Sequence, residues 1–112
     1  MGLFDSLFPK KDAEYYKWRG RKNKLNKKNF DALKDFNKAI ELNPKDAENY
    51  YYRAYVYMAL SNKAMIDAIA NDNMTDTCRE LRESWNEKWN EDMRTAAKLG
   101  DLKAKEYLER NK

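Results

Sequence analysis

Ten residues near the start of the chain return 34 positions later. Lys11-Asp12-Ala13-Glu14 recurs as Lys45-Asp46-Ala47-Glu48, and at the same offset Tyr16 meets Tyr50, Arg19 meets Arg53 and Gly20 meets Ala54. Six identities in these ten positions mark a duplicated unit. A unit repeated every 20 to 50 residues or so cannot bury its apolar side alone and must stack on a neighbour, which constrains the whole fold.

Composition narrows the class of that unit. Only three Gly and two Pro occur in 112 residues, too few for the turn punctuation an all-β fold requires, so the repeating element is expected to be helical and the chain a single domain. Charged residues make up 38% and mean hydropathy is −1.11, yet 13% of the chain is aromatic, which describes a folded domain with a heavily solvated surface. Cys78 is the lone cysteine and histidine is absent. No internal disulfide is then available, and the commonest metal ligand and general base are missing. No catalytic constellation is apparent, and neither a metal nor a cofactor is expected. With no signal-like or long apolar segment, a cytoplasmic setting is the expectation.

The first unit carries Tyr16-x2-Arg19-Gly20, then Ala32-x3-Phe36-x2-Ala39, and closes on Asn43-Pro44. With its 34-residue period this resembles the tetratricopeptide repeat, clearly over residues 11–60 and in degenerate form beyond. The physics fits: Gly20, Ala32 and Ala39 let two antiparallel helices approach closely, aromatics fill the gaps, and Pro44 ends the second helix. The expected architecture is an all-α superhelix of stacked antiparallel hairpins, with about five to six helices near 13–27, 30–42, 46–60, 62–72, 77–99 and 102–110. Residues 1–10 form an apolar and basic tail, 11–44 repeat 1, 45–74 repeat 2 with a degenerate second helix, and 75–112 a long helix plus a capping helix. The buried side of the degenerate helix would be Ala64, Ile66, Ala70 and Met74. Thr77-x-x-Glu80 reads as a capping box opening the long helix, whose stripe is Cys78, Leu81, Trp85, Trp89, Met93, Ala96 and Leu99. Gly100 then serves as C-cap, and Asp101 caps a final helix with Leu102, Tyr107 and Leu108 inward. Met93–Asp101 also echoes Phe36–Pro44, so a third distorted repeat and a second repeat split by insertion both remain open.

The resemblance implies a protein-binding scaffold without chemistry of its own, whose concave groove is lined by the first helix of each hairpin. Here that face would be Lys17, Trp18, Arg21 and Lys24, followed by Tyr51, Tyr52, Tyr55 and Met58. Steps of three and four place each set on one helical face. A half-basic, half-aromatic groove suits an acidic or amphipathic peptide or helix. A version of the family that grips chaperone tails uses lysines and asparagines; Lys17 matches one lysine, but Arg21 and Tyr52 stand where asparagines are needed, which disfavours that ligand.

Charge adds two alternatives. Residues 9–30 hold nine Lys or Arg against two acids, interleaved with Tyr15, Tyr16 and Trp18, so nucleic acid could associate through residues 10–28. The tryptophan-rich long helix could instead build a homodimer. Its Glu80, Glu83, Glu87 and Glu91 form an acidic stripe that could face the chain's own basic hairpin. Residues 1–8 place Leu3, Phe4, Leu7 and Phe8 before Pro9; they are expected to cover the open end of the first hairpin, with a membrane-touching tail as the other reading.

Overall fold

The computed structural model describes residues 2–71 and 75–112. Among these, six helices follow in order: α1 Leu3–Leu7, α2 Ala13–Leu25, α3 Asn29–Leu42, α4 Ala47–Ala70, α5 Asp76–Lys98 and α6 Leu102–Arg110. The fold is all-α, as expected. α2 pairs with α3 and α4 with α5, α3 packs against α4 to join the hairpins, and α6 rests on α5.

Side-chain caps set most of the helix starts. Asp12 accepts from the Tyr15 amide at 3.1 Å, Asp46 from Glu48 at 3.1 Å, and Asp101 from Ala104 at 2.9 Å. Each carboxylate satisfies an amide the helix leaves open and places negative charge at the positive end of the dipole. α5 is opened by Thr75, which accepts from Cys78 at 3.2 Å, so the expected capping box on Thr77 is displaced by two residues. α3 stops before Asn43-Pro44, where the Asn43 side chain accepts from the Lys45 amide at 3.3 Å.

The two hairpins close with the same lock. Arg19 of α2 donates to Asp35 of α3 from Nη2 at 2.7 Å and from Nε at 3.0 Å. Arg53 of α4 grips Asp92 of α5 from Nη2 at 2.7 Å and Nε at 2.8 Å, and donates to Asn37 of the first hairpin at 2.9 Å. Behind the first lock Gly20 lies flat under the Phe36 ring; a β-carbon there would come within 2.8 Å of it. Behind the second, Ala54 and Met93 share a buried cluster with Ala96 and Ala104.

The expected break near residue 61 is absent: α4 runs unbroken for 24 residues, against 13 for α2. Nothing in Met58-Ala59-Leu60-Ser61-Asn62-Lys63 stops a helix, since it holds neither Gly nor Pro. The helix that returns alongside α4 is α5, not a segment at 62–72. Arg53 and Asp92 are 39 residues apart where Arg19 and Asp35 are 16 apart, so the second hairpin has 23 more residues of sequence than the first, and the described ones among them extend α4 and α5 as an arm. On this arm Ala64 is half-buried while Ile66 and Ala70 are exposed, and Met74 lies outside the described residues.

Other apolar expectations divide similarly. Met93 and Ala96 of the α5 stripe are buried, Cys78, Trp85 and Trp89 are half-buried, and Leu81 and Leu99 are exposed. Trp85 stacks on Tyr57 of α4 at 5.7 Å, and Trp89 meets Tyr107 of α6 at 5.9 Å in the cluster that Tyr51 and Tyr55 also pack against. Leu102 is exposed, whereas Tyr107 and Leu108 are half-buried. At the front, Phe4 and Phe8 pack on Tyr15 with centroids 5.5 and 6.3 Å away, while Leu3 and Leu7 point to solvent. Glu80, Glu83, Glu87 and Glu91 are all exposed, and among the described residues none pairs with α2. The acids that do meet α2 come from α3 and from the start of α4.

Candidate functional site

The face expected to bind is built on α2 and α4. Trp18, Arg21 and Lys24 step along α2 one turn apart, and Tyr51, Tyr52, Tyr55 and Met58 step along α4 beside them. The Arg21 guanidinium is held between two rings, 4.4 Å from the Trp18 centroid and 4.6 Å from that of Tyr52. Lys24 Nζ lies 5.7 Å from the Tyr55 ring. These are cation–π distances, each worth about 0.5–1 kcal/mol at an exposed site. Tyr52 in turn stacks on the buried Phe36 at 5.9 Å, so the first hairpin's core positions this face.

The tyrosines form a ladder. Tyr51 meets Tyr52 and Tyr55 edge-on, with centroids 5.8 and 5.0 Å away, and its hydroxyl lies 3.3 Å from that of Tyr55. Burial, aided by the Tyr55 hydroxyl, holds the Tyr51 phenol above its ordinary pKa; burial does the same for Tyr52 despite the nearby Arg21. Both stay neutral donors across the physiological range. Tyr52 spends its proton on Glu48 at 3.3 Å.

Lys17 has a different place. Its ammonium lies 2.8 Å from Asp46, 3.0 Å from Glu48 and 3.6 Å from Glu14, and its side chain is only 8% exposed. Burial lowers its pKa, but the hydrogen bonds to Asp46 and Glu48 outweigh this and hold it above the ordinary lysine value. Lys17 thus ties α2 to the start of α4 and offers no charge to the open groove.

α6 contributes a residue that sequence reasoning missed. Lys103 Nζ sits 5.9 Å from the Tyr51 ring, and Lys103 lines a cleft of about 360 Å³ with Tyr51 and Tyr52 and with the acids Asp46, Glu48 and Asp101. Counting from the cap would have found it: Glu14, Glu48 and Lys103 each stand two residues after a capping Asp, and there the acid becomes a base. A smaller notch of about 140 Å³ opens between Arg21, Lys24, Leu25 and Tyr52. Among the described residues Arg21, Lys24 and Lys103 lack a carboxylate within ion-pair reach. The face therefore holds three cations, each over an aromatic ring and none neutralised.

The basic run on α2 is partly consumed by the fold, since Arg19 is committed to Asp35 and Lys17 to the acids of α4. Among the described residues, no cluster of three or more His, Cys, Asp or Glu side chains could hold a metal ion, and no helix is long and apolar enough to cross a membrane.

No curated protein and no solved structure matches this chain. Residues 35–80, from the second half of α3 through α4 into α5, match the family model described as Tetratricopeptide repeat. Over that segment the chain is related to the tetratricopeptide repeats, a family of protein–protein interaction modules.

Proposed function

We propose that the chain is a non-enzymatic scaffold that holds an acidic or amphipathic protein segment against the face formed by Trp18, Arg21, Lys24, Tyr51, Tyr52, Tyr55 and Met58, with Lys103 at its edge. The observation that carries this reading is the set of three unneutralised cations seated over aromatic rings. Such a surface gives a carboxylate its donors and gives neighbouring apolar groups rigid contact area at small entropic cost. Lys17 belongs to the site as its organiser: by fixing the start of α4 against α2 it sets the spacing between the basic and aromatic rows.

The test is comparative affinity purification with wild-type protein and with Arg21→Ala/Lys24→Ala/Tyr55→Ala. All three side chains are half-buried and Tyr55 packs against the cluster around Met93, so circular dichroism of the variant must match the wild type before its binding is read. Partners retained by the wild type should be lost by the variant, and their survival would place the binding surface elsewhere.

A further inference from the structure

The arm buries Ala68 but mixes polar groups into its interior and leaves apolar ones outside. Its interior holds a polar pair, with the Ser61 hydroxyl donating to Asn86 Oδ1 at 2.8 Å, and the Arg82 guanidinium set on the Met65 sulfur at 3.3 Å. Its outer side carries Ile66 and Ile69, 60% and 63% exposed. Water should favour the reverse, so the outer isoleucines are a standing cost to the isolated chain.

Those isoleucines continue the aromatic row. Tyr51, Tyr55, Met58, Asn62, Ile66 and Ile69 succeed one another at steps of four, three, four, four and three. An unbroken helix keeps such positions on one face, and α4 is unbroken throughout. Eighteen residues at 1.5 Å each make a stripe of about 27 Å. Charge along it is lopsided: Arg21, Lys24 and Lys103 flank the tyrosine end, whereas the arm end has Lys63 already paired with Asp67 at 3.2 Å.

We infer, resting on the function proposed above, that the partner is an amphipathic helix lying along the full length of this stripe. It places acidic side chains beside Arg21, Lys24 and Lys103 and uncharged apolar ones over Ile66 and Ile69. An extended peptide fits a trough between two helices, but α2 ends at Leu25 and the arm has no second wall on this side. What the arm offers is a single ridge with a period of three to four residues, which another helix matches with its own ridge. Asn62, polar in the middle of the stripe, gives that pairing a register.

Synthetic peptides test this. The probe is a 21-residue helix with leucines at i, i+3, i+4 and i+7, glutamates flanking them in one half and glutamines in the other. Its twin replaces each glutamate with lysine, and a half-length version keeps only the acidic half. By fluorescence anisotropy the acidic probe should bind about tenfold or more tightly than its twin, and Ile66→Ser/Ile69→Ser should weaken it by about tenfold, the size expected for losing two apolar anchors. Both isoleucines are exposed, so circular dichroism of this variant should match the wild type. Its affinity for the half-length probe should stay unchanged. Undiminished binding of the full probe to the isoleucine variant would overturn the inference and leave the groove reading standing. If Arg21→Gln/Lys24→Gln leaves the preference for glutamate over lysine intact, the groove reading itself fails. A dimer of the free protein that Ile66→Ser/Ile69→Ser dissolves would make a second copy the occupant, and would equally overturn the inference.

Discussion

The α2–α3 hairpin and the α4–α5 hairpin share an arginine–aspartate lock and differ in how they fill the space behind it. In the first, a glycine accepts a flat phenylalanine ring; in the second, an alanine faces a methionine. Volume removed from one helix is restored on the other, so close packing survives while both residues change. The locks differ in exposure as well. The Arg19 side chain is 40% exposed and that of Arg53 only 20%, while both aspartates are nearly covered. The second lock also reaches Asn37 and so fastens one hairpin to the other. A duplicated unit can keep its geometry and still redistribute where its stability resides.

Breaking the locks should give the largest effects. Asp92→Ala strands Arg53 in a mostly covered site and should cost about 3 kcal/mol, whereas Asp35→Ala, which leaves Arg19 free to reach water, should cost about 2 kcal/mol. Urea unfolding of both variants measures the difference, and an equal or reversed order would deny the second lock its greater weight. Next comes the exchange behind the locks. Gly20→Ala pushes a methyl group into Phe36 and should destabilise by about 1–3 kcal/mol. Adding Phe36→Met recreates the pair found at Ala54 and Met93; the double variant should recover part of that loss, seen as favourable coupling in a double-mutant cycle.

A smaller effect of opposite sign is expected at Asn49. It stands three residues after its capping aspartate, where Tyr15 and Ala104 stand in α2 and α6, and it is fully buried with neither amide atom bonded among the described residues. Asn49→Leu keeps the size and removes the unmet polar groups, so thermal unfolding should reveal a gain of about 1 kcal/mol. The smallest change concerns the helix ends. After α5, Gly100 takes φ +103° and the amides of Gly100 and Asp101 close on Ala97 and Ala96; after α2, Lys27 takes φ +61° and the amides of Lys27 and Lys28 close on Lys24 and Asn23. The two ends are the same motif, one with its preferred residue and one without. Lys27→Gly should stabilise by about 0.5–1 kcal/mol, measured as a higher midpoint of unfolding.

The first hairpin is legible in the sequence because its signals are local: Asp12 caps α2, Pro44 comes just after the end of α3, and Gly20 with Phe36 sets the helix contact. The run through residue 61 misleads for an equally physical reason. A break is expected there from the usual size of a hairpin, while Met58, Ala59, Leu60 and Lys63 are good helix formers and Ser61 and Asn62 between them are too weak a signal to stop the helix. The aromatic row of the site is legible from its spacing. That Lys17 is consumed by Asp46 and Glu48 is not, since it depends on where the next helix starts in space. Lys103 is hidden because α6 copies the capping aspartate of the earlier repeats and little of their helices.

Because α4 is one uninterrupted helix, it also fixes a phase. A single residue inserted near Leu60 would leave every hydrogen bond of both halves available, yet would turn Ile66 and Ile69 by about 100° relative to Tyr51 and Tyr55 and advance them by about 1.5 Å. The tyrosines and the isoleucines would still be present, but no straight partner could touch both. In this chain the helix acts as a gauge bar, and the length and rotation between its two ends are as much a part of the surface as the side chains mounted on it.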